Sequence, residues 1–352
     1  MINYRHPQVQ ADLKQLISQD LPWQTLKEKA VLVTGATGML ASYVGFTLLY
    51  LNEKLGLNTQ PVFLARDEDK LNTVYGDALT AAHILIQDVC EPIRYNGNVD
   101  FIFHAAGAAS PYYIVNDPVG IINANVQGTQ QVLELARNSH PKNIVFASTR
   151  EAYGYVAGKA SIEESDMGLL DPLNPRDCYP ESKRLAEALL TAYHTQYNIS
   201  FNSLRIAHTY GPGMQIDGDG RVMSDLINDV VNGRDIHLKS RGDDERAFCY
   251  ITDTISGIFR VMLLGEPATA YNLANEDEPI RIIDLAKLLQ NLAGNGKRIK
   301  IDMRETNKVG YTNYARTALN THRLQALGWL PSVGLEDGLL RTLNSFKTHC
   351  EL

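Results

Sequence analysis

Tyr179 and Lys183 stand four residues apart in 178–188, a run whose composition suits a helix. That separation places both side chains on one helical face. An ammonium beside a phenol favours the phenolate, so Lys183 is expected to lower the pKa of Tyr179 toward working pH and make it a usable acid or base. Thr149 follows an apolar strand-like run at 144–148 and can offer a hydroxyl to the same substrate oxygen, while Glu151 can serve as a second base. With a nicotinamide nearby, these groups are the parts needed to move a proton from an alcohol while hydride goes to the cofactor. A Tyr-x-x-x-Lys pair alone is also what a solvated helix face carries, so the chemistry depends on elements that seat a dinucleotide.

Residues 30–45, AVLVTGATGMLASYVG, supply the first of these. The apolar, β-branched run at 30–34 reads as a buried parallel strand, and Gly35 and Gly38 break it. From Met39 to Leu51 the chain is helix-tolerant and largely apolar, so the turn delivers it into a helix packed on a sheet. Glycines let backbone N–H groups approach a pyrophosphate, and the positive end of the helix dipole favours the anion. Further strands are predicted at 60–65, 84–89, 144–148 and 201–206, with a strand and its small-residue turn within 101–107 and a helix at 123–136. At the end of the second strand Arg66 suits the 2′-phosphate of NADP by a charge-assisted contact, while Asp67, one residue on, keeps NAD open. Val9, Leu13, Leu16, Ile17 and Leu21 fall at helical spacing ahead of the first strand and predict an amphipathic helix lying on the domain.

Composition excludes several classes. With 33 basic and 40 acidic residues the net charge is -7, which argues against nucleic acid as a partner. Cys90, Cys178, Cys249 and Cys350 lie far apart without a C-x-x-C pair, nine histidines show no metal-ligand spacing, and so neither disulfide framework nor metal site is expected. The N-terminus is too polar for a signal peptide and no apolar run approaches the ~18 residues of a membrane span, so a cytoplasmic protein is expected.

The Gly35, Gly38, Ala41 spacing resembles the TGxxGxxG loop of the extended short-chain dehydrogenase/reductases, with alanine at the third position, where a small residue is what packing requires. The resemblance runs from about residue 31 to 338 through HAAG at 104–107, the Asn125-x-x-Gly128-Thr129 motif, Ser148-Thr149 and the Tyr179/Lys183 pair. It implies an α/β fold, a Rossmann-type doubly wound parallel sheet with a smaller C-terminal substrate-binding lobe. The division expected is 1–29 as a helical extension, 30–211 with about 250–270 as the dinucleotide-binding part, and 212–249 with 271–352 mainly as the lobe. By the same resemblance the cofactor, NAD or NADP, meets Gly35, Thr37, Gly38, Met39, Leu40, Arg66, Asp88, Val89, His104, Ala105, Ala106, Gly107, Asn125, Tyr179 and Lys183. Thr149, Glu151, Tyr179 and Lys183 are the implied catalytic residues, and Ser110, Arg150, His208, Arg221 and Arg246 the implied substrate contacts. Arg221 and Arg246 also suit a diphosphate on physical grounds, since a guanidinium offers paired donors to phosphate oxygens.

Within that superfamily the segments QDVCEP from Gln87, HAAGAASP from His104, RDCYPESKRLAE from Arg176, DGRVMSDLI from Asp219, RAFCYITD from Arg246 and LGWLPSVGLEDGL from Leu327 resemble the UDP-glucuronate decarboxylases. Arg150 departs from their serine and from the aspartate of the 4,6-dehydratases. Always charged, it cannot donate the proton that expels a C6 hydroxyl, which argues against dehydration. His208 replaces a common asparagine, and Gly213 an arginine, so the sugar can differ from glucuronate. The resemblance implies hydride transfer at C4 of a nucleotide-linked hexose. The alternatives are an NADPH-dependent 4-ketoreductase, a C4 epimerase, and a non-catalytic nucleotide-sensing protein, against which the complete Thr149, Tyr179 and Lys183 set argues. It also implies a homodimer through the helices at 123–136 and 179–197.

Overall fold

Strands buried along their whole length need helices on both faces, and the central strands here are of that kind. In the computed structural model, which describes residues 2–294, 296, 298–301 and 317–347, seven parallel strands form the main sheet. They are β1 (Ala30–Thr34), β2 (Gln60–Ala65), β3 (His83–Ile86), β4 (Phe101–His104), β5 (Asn143–Thr149), β7 (Phe201–Ile206) and β12 (Thr269–Leu273), in the order β12-β7-β5-β4-β1-β2-β3. The expected doubly wound sheet is therefore present. Its order reverses between β1 and β4, and in such sheets the crevice at the carboxyl ends of the reversing strands is where ligands bind.

Alternation along the strands sorts the helices. Val31, Val33, Phe101 and Phe103 face one core with α1 (Pro7–Ile17), α2 (Met39–Leu55), α3 (Glu68–Tyr75) and α8 (Ile251–Leu264). Leu32, Ile102, Ile144 and Phe146 face the other, covered by α5 (Pro118–Ser139) and α6 (Cys178–Tyr197). Helix ends follow local chemistry: Asp117 caps α5 by accepting from Gly120 N–H, and α6 ends at Asn198 in the left-handed conformation.

Among the boundaries that differ from the sequence reading, two change strand pairing or domain assignment. The third strand stops at Ile86, because the Asp88 carboxylate accepts from Cys90 N–H at 2.9 Å and turns the chain before the predicted end at 89. β12 runs to Leu273 inside the main sheet, paired parallel with β7 as Leu273↔Ile206, so 271–273 is not part of the lobe to which 271–352 was assigned. Burial of Tyr271 and Leu273 holds it there.

The remaining elements are short. β8 (Thr209–Tyr210) pairs with β11 (Cys249–Tyr250), β9 (Ile236–Leu238) with β14 (Ile299–Ile301), β10 (Glu245–Arg246) with β13 (Ile280–Arg281), and β6 (Ser161–Ile162) with β15 (Ala318–Leu319). Around them lie α4 (Pro111–Asn116), α7 (Val222–Val231), α9 (Ile282–Ala293), α10 (His322–Gln325) and α11 (Leu335–Phe346). Positions 302–316 and 348–352 of the expected lobe, with Cys350, lie outside the described residues.

The N-terminal segment packs on the domain as an amphipathic helix. Val9, Leu13 and Leu16 are fully buried against α2 and α8. Its Asp12 is also fully buried and accepts hydrogen bonds from Tyr43 (3.1 Å), Tyr250 (2.9 Å) and Gln8 (3.0 Å), with Arg341 at 3.4 Å. One carboxylate thus ties α1 to α2, β11 and α11.

Candidate active site

The turn after β1 approaches the turn after β4 closely enough to require glycine. At Gly35 φ is +68°, and a Cβ there would lie 2.9 Å from Ala106 Cα. Gly38 N–H donates to Gly35 O at 2.8 Å, and α2 then starts at Met39. The first N–H groups of α2 have no acceptor within the helix, and Gly38 at the cap offers no side chain to take one. On the β4 side Ala105 and Ala106 N–H both donate to Thr34 Oγ1, at 3.1 and 3.2 Å. A Cβ on Gly107 would stand 2.7 Å from Asn125 Oδ1. Asn125 donates to Ser182 Oγ at 2.9 Å, but its Oδ1 is buried without a partner, an acceptor that a ligand donor would satisfy. The unfilled N–H groups, the glycine-lined approach and this orphan acceptor fit a dinucleotide.

Thr149, Tyr179 and Lys183 meet at the carboxyl end of β5, all three buried. The Thr149 hydroxyl accepts from Glu151 N–H at 3.2 Å and stands close enough to the Tyr179 phenol to lower its pKa. Lys183, one turn along α6, donates to Ala147 O at 2.8 Å and lies 4.5 Å over the Phe146 ring. Burial pulls the Lys183 ammonium down to about 7, with Glu187 acting in the opposite direction. The expectation that lysine lowers the tyrosine pKa is corrected here. Burial raises the Tyr179 phenol well above its ordinary value, the Glu151 carboxylate adds to this, and Thr149, Arg221 and Arg176 pull back. Desolvation of the charged form outweighs the cations. Tyr179 in this state is a neutral phenol, fit to donate its proton. Removing a proton from an alcohol requires the surrounding cations to win.

Glu151 is held by Arg176, Nη2 to Oε2 at 2.6 Å, and Arg176 is itself buried. Sequence reasoning did not single out Arg176, although it stands three residues before Tyr179. Ser148 turns away from this group and donates to Glu187 at 2.6 Å, which also takes Arg205 at 2.7 Å.

His104 is a packed residue. Its ring is fully buried between Thr34 (2.8 Å) and Thr129 (3.1 Å), and burial, helped by Lys183, pushes its pKa down to about 3. Both ring nitrogens meet hydroxyls, so the side chain props β4. Val89 packs on α5, where a Cβ on Gly128 would come within 2.8 Å of it. Arg66 and Asp88, assigned separately from the sequence, face each other at 3.5 Å at the rim, with the Arg66 side chain 79% exposed. The Asp88 carboxyl is held below its ordinary range, first by Cys90 N–H. Asp67 is engaged as the cap of α3, accepting from Lys70 N–H at 2.9 Å.

Among the implied substrate contacts, Ser110 is buried at the start of α4, next to Ala108 and Ile114, which pack with Tyr179. Arg150 and His208 meet: Nη1 lies 3.2 Å from Nε2, and Nη2 donates to Thr317 O at 3.1 Å. Two departures from the resembled pattern are therefore neighbours. Arg221 is gripped by Asp219 at 2.6 and 3.0 Å and stands near enough to Tyr179 to lower its pKa. Arg246 lies in β10, donating to Glu245 O at 2.7 Å with Asp244 at 4.0 Å. The contacts thus gather Thr149, Glu151, Tyr179, Lys183, Arg176 and Arg221, while the hydrogen bond and ion pair of Arg246 stay within 244–246. Among the described residues no group of three or more His, Cys, Asp or Glu is placed to hold a metal, and no helix is long and apolar enough to cross a membrane.

The chain matches the sequence model of the NAD dependent epimerase/dehydratase family over residues 31–274. It is 33% identical over 309 residues to UDP-glucuronic acid decarboxylase 6 of Arabidopsis thaliana, covering 88% of this chain and 86% of the relative. Among solved structures it is similar to the UDP-glucose 4-epimerase of Thermotoga maritima, with TM-score 0.76, 22% identity, and coverage of 90% and 98% of the two chains. It is also similar to the UDP-glucuronic acid 4-epimerase of Bacillus cereus in complex with NAD, with TM-score 0.71, 21% identity, and coverage of 90% and 96%.

Proposed function

The chain belongs to the NAD dependent epimerase/dehydratase family, and from that premise we propose that it modifies a nucleotide-linked hexose at C4, most nearly as a UDP-glucuronate decarboxylase does. The observation that carries this is the meeting of Thr149, Tyr179 and Lys183 at the end of β5, beside the turns of Gly35 and Gly107. Gly35, Thr37 and the start of α2 would hold the pyrophosphate, Asp88 the adenosine end, and Asn125, Gly107 and Lys183 the nicotinamide end. When bound, the nicotinamide supplies a reversible hydride acceptor and donor.

The chain's own residues handle the protons. Tyr179, a neutral phenol in the ligand-free site, must first give up its proton; as phenolate it then takes the proton of the C4 hydroxyl, and the Thr149 hydroxyl fixes the oxygen's position. A ketone at C4 makes a C5 carboxylate a β-keto acid, which loses carbon dioxide and leaves an enolate that takes up one proton at C5 from water. Tyr179 then gives the proton back as C4 is reduced. Glu151, held by Arg176, is placed to serve as a second base, and Arg221, oriented by Asp219, suits the diphosphate.

A second reading is supported by Arg66. Its exposed guanidinium beside Asp88 suits a 2′-phosphate, and NADPH would reduce an existing 4-ketone with Tyr179 as proton donor. Release of carbon dioxide from UDP-glucuronate with no net cofactor consumption supports the first reading. Stoichiometric loss of NADPH with a 4-keto-6-deoxy sugar nucleotide assigns the second, and inversion at C4 assigns an epimerase. Cofactor binding without turnover of any sugar nucleotide in a broad panel would make the protein a sensor.

The reading extends to assembly. α5 and α6 pack side by side and leave Val119, Ile122 and Leu185 exposed, an apolar set that suits a homodimer; sedimentation as a monomer would refute it. Free Cys90, Cys178 and Cys249 suit the reducing cytoplasm.

A further inference from the structure

The back of the glycine turn is fastened at one peptide. Ala36 N–H donates to Leu64 O at 3.1 Å, and its carbonyl accepts from the Tyr75 hydroxyl at 3.0 Å. Tyr75, the last residue of α3, is fully buried, stacked 4.5 Å from the Phe63 ring on β2 and set edge-on at 5.1 Å to Phe46 on α2. Room for it comes from Gly45, where a methyl would lie 2.4 Å from the Tyr75 hydroxyl and 3.0 Å from the Phe63 ring. Glycine inside a helix is destabilising relative to alanine, so its presence in α2 marks that space as needed. Behind α3, Tyr4 N–H donates to Val74 O at 2.9 Å, and Arg5 bridges Glu53 on α2 (3.0 Å) to Asp77 (3.3 Å). The N-terminal extension therefore clamps the helix that carries Tyr75.

We propose that Tyr75 is a positioning residue for the dinucleotide pyrophosphate, acting through the Ala36–Thr37 peptide. In a planar trans peptide the carbonyl and the following N–H point in opposite directions. Holding the Ala36 carbonyl against the core therefore aims the Thr37 N–H out of the turn, toward the crevice. Without the hydroxyl, the buried carbonyl loses its partner and that peptide is free to rotate away.

The inference rests on the dinucleotide reading, and the test separates the two. Affinities of the full-length protein for NAD, ADP and adenosine are measured for wild type, Tyr75→Phe, which keeps both ring contacts, and Gly45→Ala, which presses on the hydroxyl. Both variants are expected to bind NAD and ADP about tenfold more weakly and adenosine as wild type does, because adenosine carries no phosphate for Thr37. Unchanged NAD and ADP affinity in Tyr75→Phe overturns the inference. So does equal weakening of all three ligands, or failure of Tyr75→Phe to fold, since either shows a general structural role. Wild-type protein that binds none of the three overturns the dinucleotide reading, and this inference with it.

Discussion

Replacing Lys183 with methionine should make the ligand-free protein more stable and useless as a catalyst. Burial brings this lysine from its usual 10.5 down to about 7. At ~1.4 kcal/mol per pKa unit, a charged Lys183 disfavours folding by about 5 kcal/mol at pH below both values. Methionine fills most of the same space without the charge. It gives up the hydrogen bond to Ala147 O, worth about 1 kcal/mol, and the contact over Phe146, so a net gain of about 2–4 kcal/mol is expected. The sign with pH follows from which state sheds its proton first. Below pH 7 Lys183 is protonated folded and unfolded, and the penalty is full and constant. Between pH 7 and 10.5 the folded form has lost the proton while the unfolded chain keeps it, so the penalty fades as pH rises. Urea unfolding of wild type and Lys183→Met at pH 6, 8 and 9.5 should show the variant ahead by most at pH 6 and the gap closing toward pH 9.5. A variant no more stable at pH 6, or a gap independent of pH, would refute the desolvation argument. Lost turnover alongside gained stability is the pattern of a charge kept for chemistry.

Tyr179→Phe should reduce turnover by at least ~10³-fold while the dinucleotide affinity stays within about threefold, by steady-state rates and ligand titration; retained activity would remove Tyr179 from proton transfer. Asp12→Ala leaves Tyr43, Tyr250 and Arg341 without their buried acceptor and should destabilise by about 3 kcal/mol in urea unfolding, with Asp12→Asn milder because burial already raises the Asp12 pKa. Arg66→Ala should weaken NADP binding about tenfold or more, leave NAD binding near wild type, and shift stability by under ~0.5 kcal/mol, since the Arg66–Asp88 pair is exposed. Arg150→Ser should restore the residue that decarboxylases carry and raise turnover of UDP-glucuronate relative to wild type; a fall would mean that the arginine itself contacts this substrate.

Much of the nucleotide-binding half was legible in the chain because its signals are local. The 30–34, 60–65 and 201–206 runs are strands with those bounds, the first two as largely apolar runs and the third with Phe201, Leu204 and Ile206 as its apolar residues. Local pattern overran at 84–89, where an Asx turn ends pairing early, and it missed β12 as a main-sheet strand, since TAYNL shows no run of apolar residues. The site divides along the same line. The four-residue spacing of Tyr179 and Lys183 was readable, but Arg176 against Glu151, Arg150 against His208 and Tyr75 against Ala36 join segments far apart or elements whose relative placement no spacing encodes.

By itself, the sequence determined the glycine turn, the strand-helix alternation and the residue types able to move a proton, because those depend on neighbours along the chain. Only the tertiary structure decided the charge states of those residues. Whether Lys183 carries its proton near pH 7, whether Tyr179 is phenol or phenolate, and whether His104 titrates are set by how much water remains around them. That depends on packing between segments distant in the chain.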